Sequence, residues 1–339
     1  MSETSSHERS ATPAMAPSAG SAAPVIVPMH VEDLAAADRI LRLSFGTELR
    51  LPDPMQFRGD SGLVLNRFQM YPEASFVARV EGVIAGFGVA SQWGRVGLIG
   101  PVCVDPAFWN RGIARALLRE LVDAIDRWGC TAAGLFTNPL SPRHLRLYQS
   151  FGFWPRGLTV VLARAAAPLP RATLPWSRYR GTTSGAAAPD PTRLLAEASR
   201  FTGGICPGLD LRREMRGVID HGHGEVLALH EAGLLTGLAI CHVGAASEGG
   251  SRNLFVKYGQ VAADERSAER LTDLVHACAA VARDHGAERV VLGMVTSRHA
   301  AYRHLIDMGF RSEFQGVRMH RPWGELEDGE SQWVIDDWR

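Results

Sequence analysis

The sequence predicts an α/β protein with a mixed (α+β) sheet, built as two tandem copies of one unit. Three observations lead there. Apolar strand-like runs alternate with stretches whose apolar residues recur every three to four positions. One stretch, Gly100 to Leu118, passes from a buried strand through a polar turn into a helix. A set of glycine and apolar positions in the first half recurs in the second.

The stretch from Gly100 to Leu118 carries the chemistry. Pro106 helps to stop the strand, and Arg111-Gly-Ile-Ala114 opens the helix. Small residues at Gly112 and Ala114 leave the first-turn amides uncovered, and those amides have no intrahelical partner. The helix dipole adds partial positive charge there, so the helix start is a ready anion site suited to a diphosphate. Arg111 and Arg115 bring formal charge beside it. An ordinary strand–turn–helix with a flexible entry is the bland alternative for the same residues.

Taken in order, residues 1–24 are Ser, Ala and Pro with few large apolar groups, which predicts a disordered tail. Val25–Val27 begins a strand, and Glu32–Phe45 has a helical period. Asp53–Asn66 is loop-rich. Phe76–Val80 and Val83–Gln92 form a hairpin about Glu81-Gly82. Gly97–Val104 is the next strand. The helix from Arg111 keeps Ile113, Leu117, Leu121, Ile125 and Trp128 on one face and ends at Gly129. A strand at 132–137, a helix at 143–151 and a strand at 157–164 complete the unit, 25–164. Residues 165–175 read as a linker.

The unit then repeats over 176–323. Gly82 and Gly86 recur as Gly233 and Gly237, Gly129 as Gly286, and Gly152-Phe153 as Gly309-Phe310. The spacing grows by six residues between the first pair and the rest, which places one insertion near Gly244–Asn253. Residues 324–339 form an acidic C-terminal tail closing on Trp-Val-Ile-Asp-Asp-Trp-Arg. Its two tryptophans suggest docking on a neighbour, a homo-oligomer contact being one form of that.

Composition excludes several classes. The 339 residues carry zero formal net charge, so no global field draws the chain to nucleic acid or to an anionic membrane. Five scattered cysteines without a Cys-x-x-Cys pair argue against a disulfide framework or zinc cluster. No apolar run reaches transmembrane length, and the expectation is a soluble cytoplasmic protein without a metal. Asp220-His-Gly-His-Gly-Glu225 could suggest a metal site, but alternation between glycines is more often a turn before a strand.

Strand, Arg111-Gly-Ile-Ala114 helix, strand, and then Arg146-Leu-Tyr-Gln-Ser-Phe-Gly-Phe153 together resemble the GNAT acyltransferase superfamily, over most of 25–164 and more faintly over 176–321. The resemblance implies acetyl-CoA as co-substrate. It gives Val102, Cys103 and Val104 a main-chain role along the pantetheine arm, and Arg111, Gly112, Ile113, Ala114, Arg115 and Ala116 the pyrophosphate. It makes Tyr148 the general acid that protonates the leaving thiolate, a role a positioned phenol can fill. Ser141 stands where relatives keep an asparagine that touches the coenzyme, and Asn138 could serve instead. The slot three residues before Gly112, usually Gln or Arg in the family, holds Trp109.

No general base stands out; Glu48, Glu73 and Asp105 are candidates by position, with Asp105 read as capping its turn and solvated surface carboxylates the favoured reading of the other two. The second copy has Glu269 at the Gly112 position, Leu271 at Ala114, Val295 at Asn138 and Leu305 at Tyr148. Negative charge from Glu265 and Glu269 repels a diphosphate, so this copy is expected to be a degenerate partner that helps to form the acceptor cleft. The implied function is acetyl transfer from acetyl-CoA to a small-molecule or peptide amine. The alternative is a non-catalytic acyl-CoA-binding or regulatory tandem module.

Overall fold

The computed structural model describes residues 22–167, 172–181, 190–322 and 329–338; residues 1–21 of the expected disordered tail and parts of the linker and C-terminal tail lie outside them. The first half runs β1 (Val25–Pro28), α1 (Leu34–Glu48), α2 (Leu63–Met70), β2 (Ser75–Val80), β3 (Val83–Trp93), β4 (Val96–Val104), α3 (Ile113–Arg127), β5 (Ala132–Thr137), α4 (Pro142–Gln149) and β6 (Trp154–Ala165). The second runs β7 (Trp176–Tyr179), α5 (Thr192–Gly203), α6 (Arg212–Asp220), β8 (Gly224–Glu231), β9 (Leu234–Gly244), β10 (Gly250–Val261), α7 (Ser267–Asp284), β11 (Arg289–Val295), α8 (His299–Asp307), β12 (Arg311–Arg321) and β13 (Val334–Ile335).

Register shows that the two halves repeat. In the first hairpin Ala78 faces Gly86, and a one-residue shift follows before Arg79 faces Ile84. In the second, Leu229 faces Gly237 and the same shift precedes His230 facing Leu235. The parallel pairs also correspond: Val96–Ile99 run beside Ala132–Leu135, and Asn253–Val256 beside Arg289–Leu292. The inserted residues fall in the β9–β10 loop and the first residues of β10. Two residues separate Trp93 from Val96, whereas eight separate Gly244 from Asn253.

The strands form one sheet in the order β1-β2-β3-β4-β5-β12-β6-β11-β10-β9-β8-β7, with β13 added beside β10. The last strands of the two units are exchanged. β6 lies against β11 of the second half, while β12 of the second half lies between β5 and β6. Because the repeat makes β6 and β12 interchangeable in pattern, each fills the slot of the other at no cost in periodicity.

Helices cover both faces. α3 buries Ile113, Leu117, Leu121 and Ile125 on one face of the first unit, each essentially without solvent contact. At about 1.5–3 kcal/mol per buried side chain this stripe anchors the helix. α1 and α2 pack on the other face with Cys103, Val77 and Phe87. α2 falls where the sequence reads as loop. Its buried residues include Asn66 and Arg67 as well as Leu63, Val64 and Met70, and buried polar groups hide a helical apolar period. Among the described residues no helix is long and apolar enough to cross a membrane.

The C-terminal segment packs on its own chain. Residues 329–338 form a strap across their own sheet: Val334 and Ile335 pair with Gln260 and Gly259, and Trp338 is only 7% exposed.

Candidate active site

β4 and β5 part company at Ile99 and Leu135, the last residues they pair. Beyond that point β4 stays bonded only to β3. The Asp105 amide donates to Ala85 O at 2.9 Å. By the alternation of an antiparallel ladder, the Cys103 main chain therefore turns toward β3, and those of Val102 and Val104 turn into the gap. The gap opens into a cavity of about 1230 Å³ that both halves of the chain line.

The start of α3 stands at one end of this cavity. Gly112, at φ +75, lets the chain enter the helix where a side chain would be strained. No side chain caps the helix, and its first internal bond is Ala116 N to Gly112 O at 3.1 Å. The amides of Ile113, Ala114 and Arg115 precede that bond and have no place in the helical ladder. Arg111 lies with its guanidinium 5.2 Å from the Phe108 ring centroid, and Arg115 5.7 Å from that of Phe151.

Of the residues singled out from sequence, Val102, Val104, Arg111, Gly112, Ile113, Ala114, Arg115, Asn138 and Tyr148 line the cavity. Three do not. Cys103 is buried between β4 and the α1–α2 layer, with its main chain spent on β3. Ala116 uses its amide inside α3. Ser141 is buried at the first turn of α4, behind the lining.

Tyr148 projects from α4 beside Thr137, its hydrogen-bonding partner. Burial above all, and then the neighbouring Cys103, push its pKa up to about 12 against the opposing effect of Thr137. The phenol is thus fully protonated at neutral pH. Trp109 donates its indole N–H to Val104 O at 2.8 Å and carries the Arg143 guanidinium 5.0 Å from its ring centroid. It lines the cavity and occupies the Val104 carbonyl at the end of β4.

The three candidate carboxylates are all partnered. Asp105 does cap its turn, accepting from Ala107 N at 3.0 Å, and pairs with Arg39 at 3.1 Å. Glu73 pairs with Arg213 at 2.8 Å, away from the cavity. Glu48 lines the cavity but is paired with Arg143 at 3.2 Å. Asp60, Glu248 and Glu313 also line it, and each is partnered: by Ser251 N at 2.9 Å, by Arg67 and Lys257, and by Arg289 at 2.5 Å.

Three lining residues that the sequence did not place in this site stand out. His144 sits one helical turn before Tyr148, so the i, i+4 spacing on α4 was the available signal. Burial, with Arg143, lowers its pKa against the pull of Glu48, leaving a neutral imidazole at pH 7. Glu248 comes from the inserted loop between β9 and β10. It forms a two-pronged bond with Arg67 of α2 at 2.7 and 3.1 Å and meets Lys257 at 2.8 Å, all three buried. Burial opposes its charge, yet Arg67 and Lys257 hold the carboxyl well below the usual range. Trp338 is the third, delivered by the strap.

The corresponding gap in the second half is filled. Gly259, Gln260 and Val261 stand in the repeat where Val102, Cys103 and Val104 stand. The strap pairs with the first two, and Val261 N donates to Trp333 O at 3.1 Å. Leu271 is fully buried at the start of α7, and Glu269 is tied to Arg266 at 3.1 Å.

Residues 40–153 match the acetyltransferase (GNAT) family. Among solved structures, a Pyrococcus horikoshii protein described as a candidate acetyltransferase superposes with TM-score 0.67 at 14% identity, covering 96% of this chain and 98% of that one. A GCN5-related N-acetyltransferase from Sphaerobacter thermophilus gives 0.58 at 15% identity over 90% and 96% of the two chains. A tandem GNAT protein from the clavulanic acid biosynthesis pathway gives 0.56 at 15% identity over 88% and 98%. No curated protein matches the chain in sequence.

Proposed function

From a chain that carries a GNAT-family domain within a tandem GNAT fold, we propose an N-acetyltransferase that moves an acetyl group from acetyl-CoA to the amine of a small molecule or peptide. Residues 25–164 are its catalytic unit; residues 176–323 are structural and wall the acceptor end. The observation that carries this is one continuous cavity joining the uncapped start of α3, the unpaired edge of β4 and Tyr148.

The residues present suit the co-substrate. The amides of Ile113, Ala114 and Arg115, with Arg111 and Arg115 beside them, suit a diphosphate. The main-chain edge at Val102 and the Val104 amide, which no strand pairs, suits an amide-bearing arm, with the Val104 carbonyl taken by the Trp109 indole. Tyr148, held neutral, supplies the proton that the departing thiolate needs. His144, neutral and on the same helix face, takes the proton that the acceptor ammonium must lose before it attacks. The paired state of the four lining carboxylates favours His144 over any of them. The filled second gap supports a single co-substrate site.

Thiol release from acetyl-CoA, followed over a panel of primary amines, aminoglycosides and peptides with free N-termini, tests this. Amine-dependent release that requires Tyr148 supports transfer. Micromolar acetyl-CoA binding with no release across the panel favours the non-catalytic module, for which the displacement of the usual Gln or Arg by Trp109 is the motivating feature.

A further inference from the structure

We propose that Trp338 is the specificity wall of the first cavity: the C-terminal strap carries it across the sheet and sets it at the apex of the cleft, where it limits the bulk of the group joined to the thioester. This rests on the cleft being an acyl-CoA site.

The path of the strap is built in residue by residue. Val334 and Ile335 pair with β10. Arg298 binds Val334 O and the Asp336 carboxylate, both at 3.0 Å, and Arg318 of β12 closes on the same carboxylate. Two strand positions beneath have no side chain. A Cβ on Gly293 of β11 would overlap Asp337, and a Cβ on Gly134 of β5 would overlap the Trp338 ring. The indole stacks on His320 with centroids 4.8 Å apart, and the Arg318 guanidinium lies 3.9 Å from its centroid. Its backbone is at φ 57, an uncommon conformation for a bulky residue that the surrounding contacts must hold. A ring pinned this way does not swing aside.

Its position gives it the role. Gly134 directly precedes Leu135, which with Ile99 marks where β4 and β5 diverge. An arm laid from the start of α3 along Val104 and Val102 leads to that point. Trp338, Ile99 and Phe136 all face the cavity there. A rigid apolar wall discriminates by size, each methylene it accepts or rejects being worth about 10–200-fold. The second half of the chain would thus contribute to selectivity through Trp338, while its own gap is closed by Trp333, Val334 and Ile335 of the same strap.

Calorimetric titration of the full chain with acetyl-CoA and with benzoyl-CoA tests the proposal, using the wild type, Trp338→Ala and Trp338→Phe. The ratio of benzoyl-CoA to acetyl-CoA affinity should rise at least tenfold in Trp338→Ala and by a smaller step in Trp338→Phe. A ratio within twofold of wild type, in a variant whose thermal melt remains cooperative, overturns it. Should Trp338→Ala fail to fold, Trp338→Phe, which keeps a ring against Gly134 and His320, decides the matter by the same ratio. Wild-type protein that binds neither thioester would instead overturn the acyl-CoA site itself, and this inference with it.

Discussion

Val261 gives its amide to the carbonyl of Trp333 at 3.1 Å, at the place in the second unit that Val104 holds in the first. One sheet therefore contains the same divergent pair of strands twice, once with no strand on its edge and only the Trp109 indole on Val104 O, and once with the edge paired by the chain's own C-terminal strap. The same strap holds Asp336 between Arg298 and Arg318. The structural difference between the two gaps comes down to what meets those main-chain groups.

Moving the second unit's chemistry into the first should disable it. Gly112→Glu reproduces Glu269, and nothing lies within 4 Å of the site of the new Cβ. The positive φ costs about 1–2 kcal/mol of stability, because a Cβ disfavours the left-handed region. Gly112→Ala carries that cost alone. Titration with acetyl-CoA should show Gly112→Glu weakened by tenfold or more beyond Gly112→Ala; equal weakening would mean that charge at the helix start is irrelevant.

Tyr148→Phe removes the phenol and little else. Turnover of an accepted amine should fall about 100-fold, the lower end of what general acid catalysis contributes, with the acetyl-CoA dissociation constant within twofold of wild type. Steady-state kinetics with parallel titration checks this. Undiminished turnover would take Tyr148 out of the mechanism.

His144 has its pKa moved below the ordinary 6.5 by burial, with Arg143 acting the same way and Glu48 opposing. A base must be unprotonated to work, so kcat/KM should hold steady through pH 7 and fall only as the pH drops below 6.5. The His144→Gln variant should lose that acid limb along with most of its activity near neutrality. A limb that persists unchanged in the variant would assign the proton transfer to another group.

The inserted loop makes a stability prediction. Glu248, Arg67 and Lys257 are all buried, and Lys257 also meets Glu214 at 2.9 Å. Arg67→Ala leaves the carboxylates short of one cation, and breaking a buried pair in this way costs about 3–5 kcal/mol. Urea unfolding should show a loss of that size. A loss below about 1 kcal/mol would mean that the pair is solvated in solution.

Much of this was legible from residues alone. The repeat showed through its glycines because turn geometry at Gly82 and Gly233 demands φ above zero in both copies. The helix start at Gly112 was readable because the same constraint sits before a strong apolar stripe. The inserted loop announced its position through spacing. α2 stayed hidden because its buried face carries Arg67 and Asn66, whose partners lie far away in sequence at Glu248 and Ala246. The exchange of β6 and β12 left no trace, since either strand satisfies the pattern of either slot. Trp338 gave a signal, an apolar ring in a polar terminus, but only the glycines at 134 and 293 reveal where it goes.

A crystal structure of the full chain with acetyl-CoA tests the central claim most directly. The predicted result is diphosphate density at the amides of Ile113, Ala114 and Arg115, the arm along Val102 and Val104, and the strap undisturbed beside Gly259. Density along β10 with the strap displaced, or none in the first cleft at saturating concentration, would contradict it.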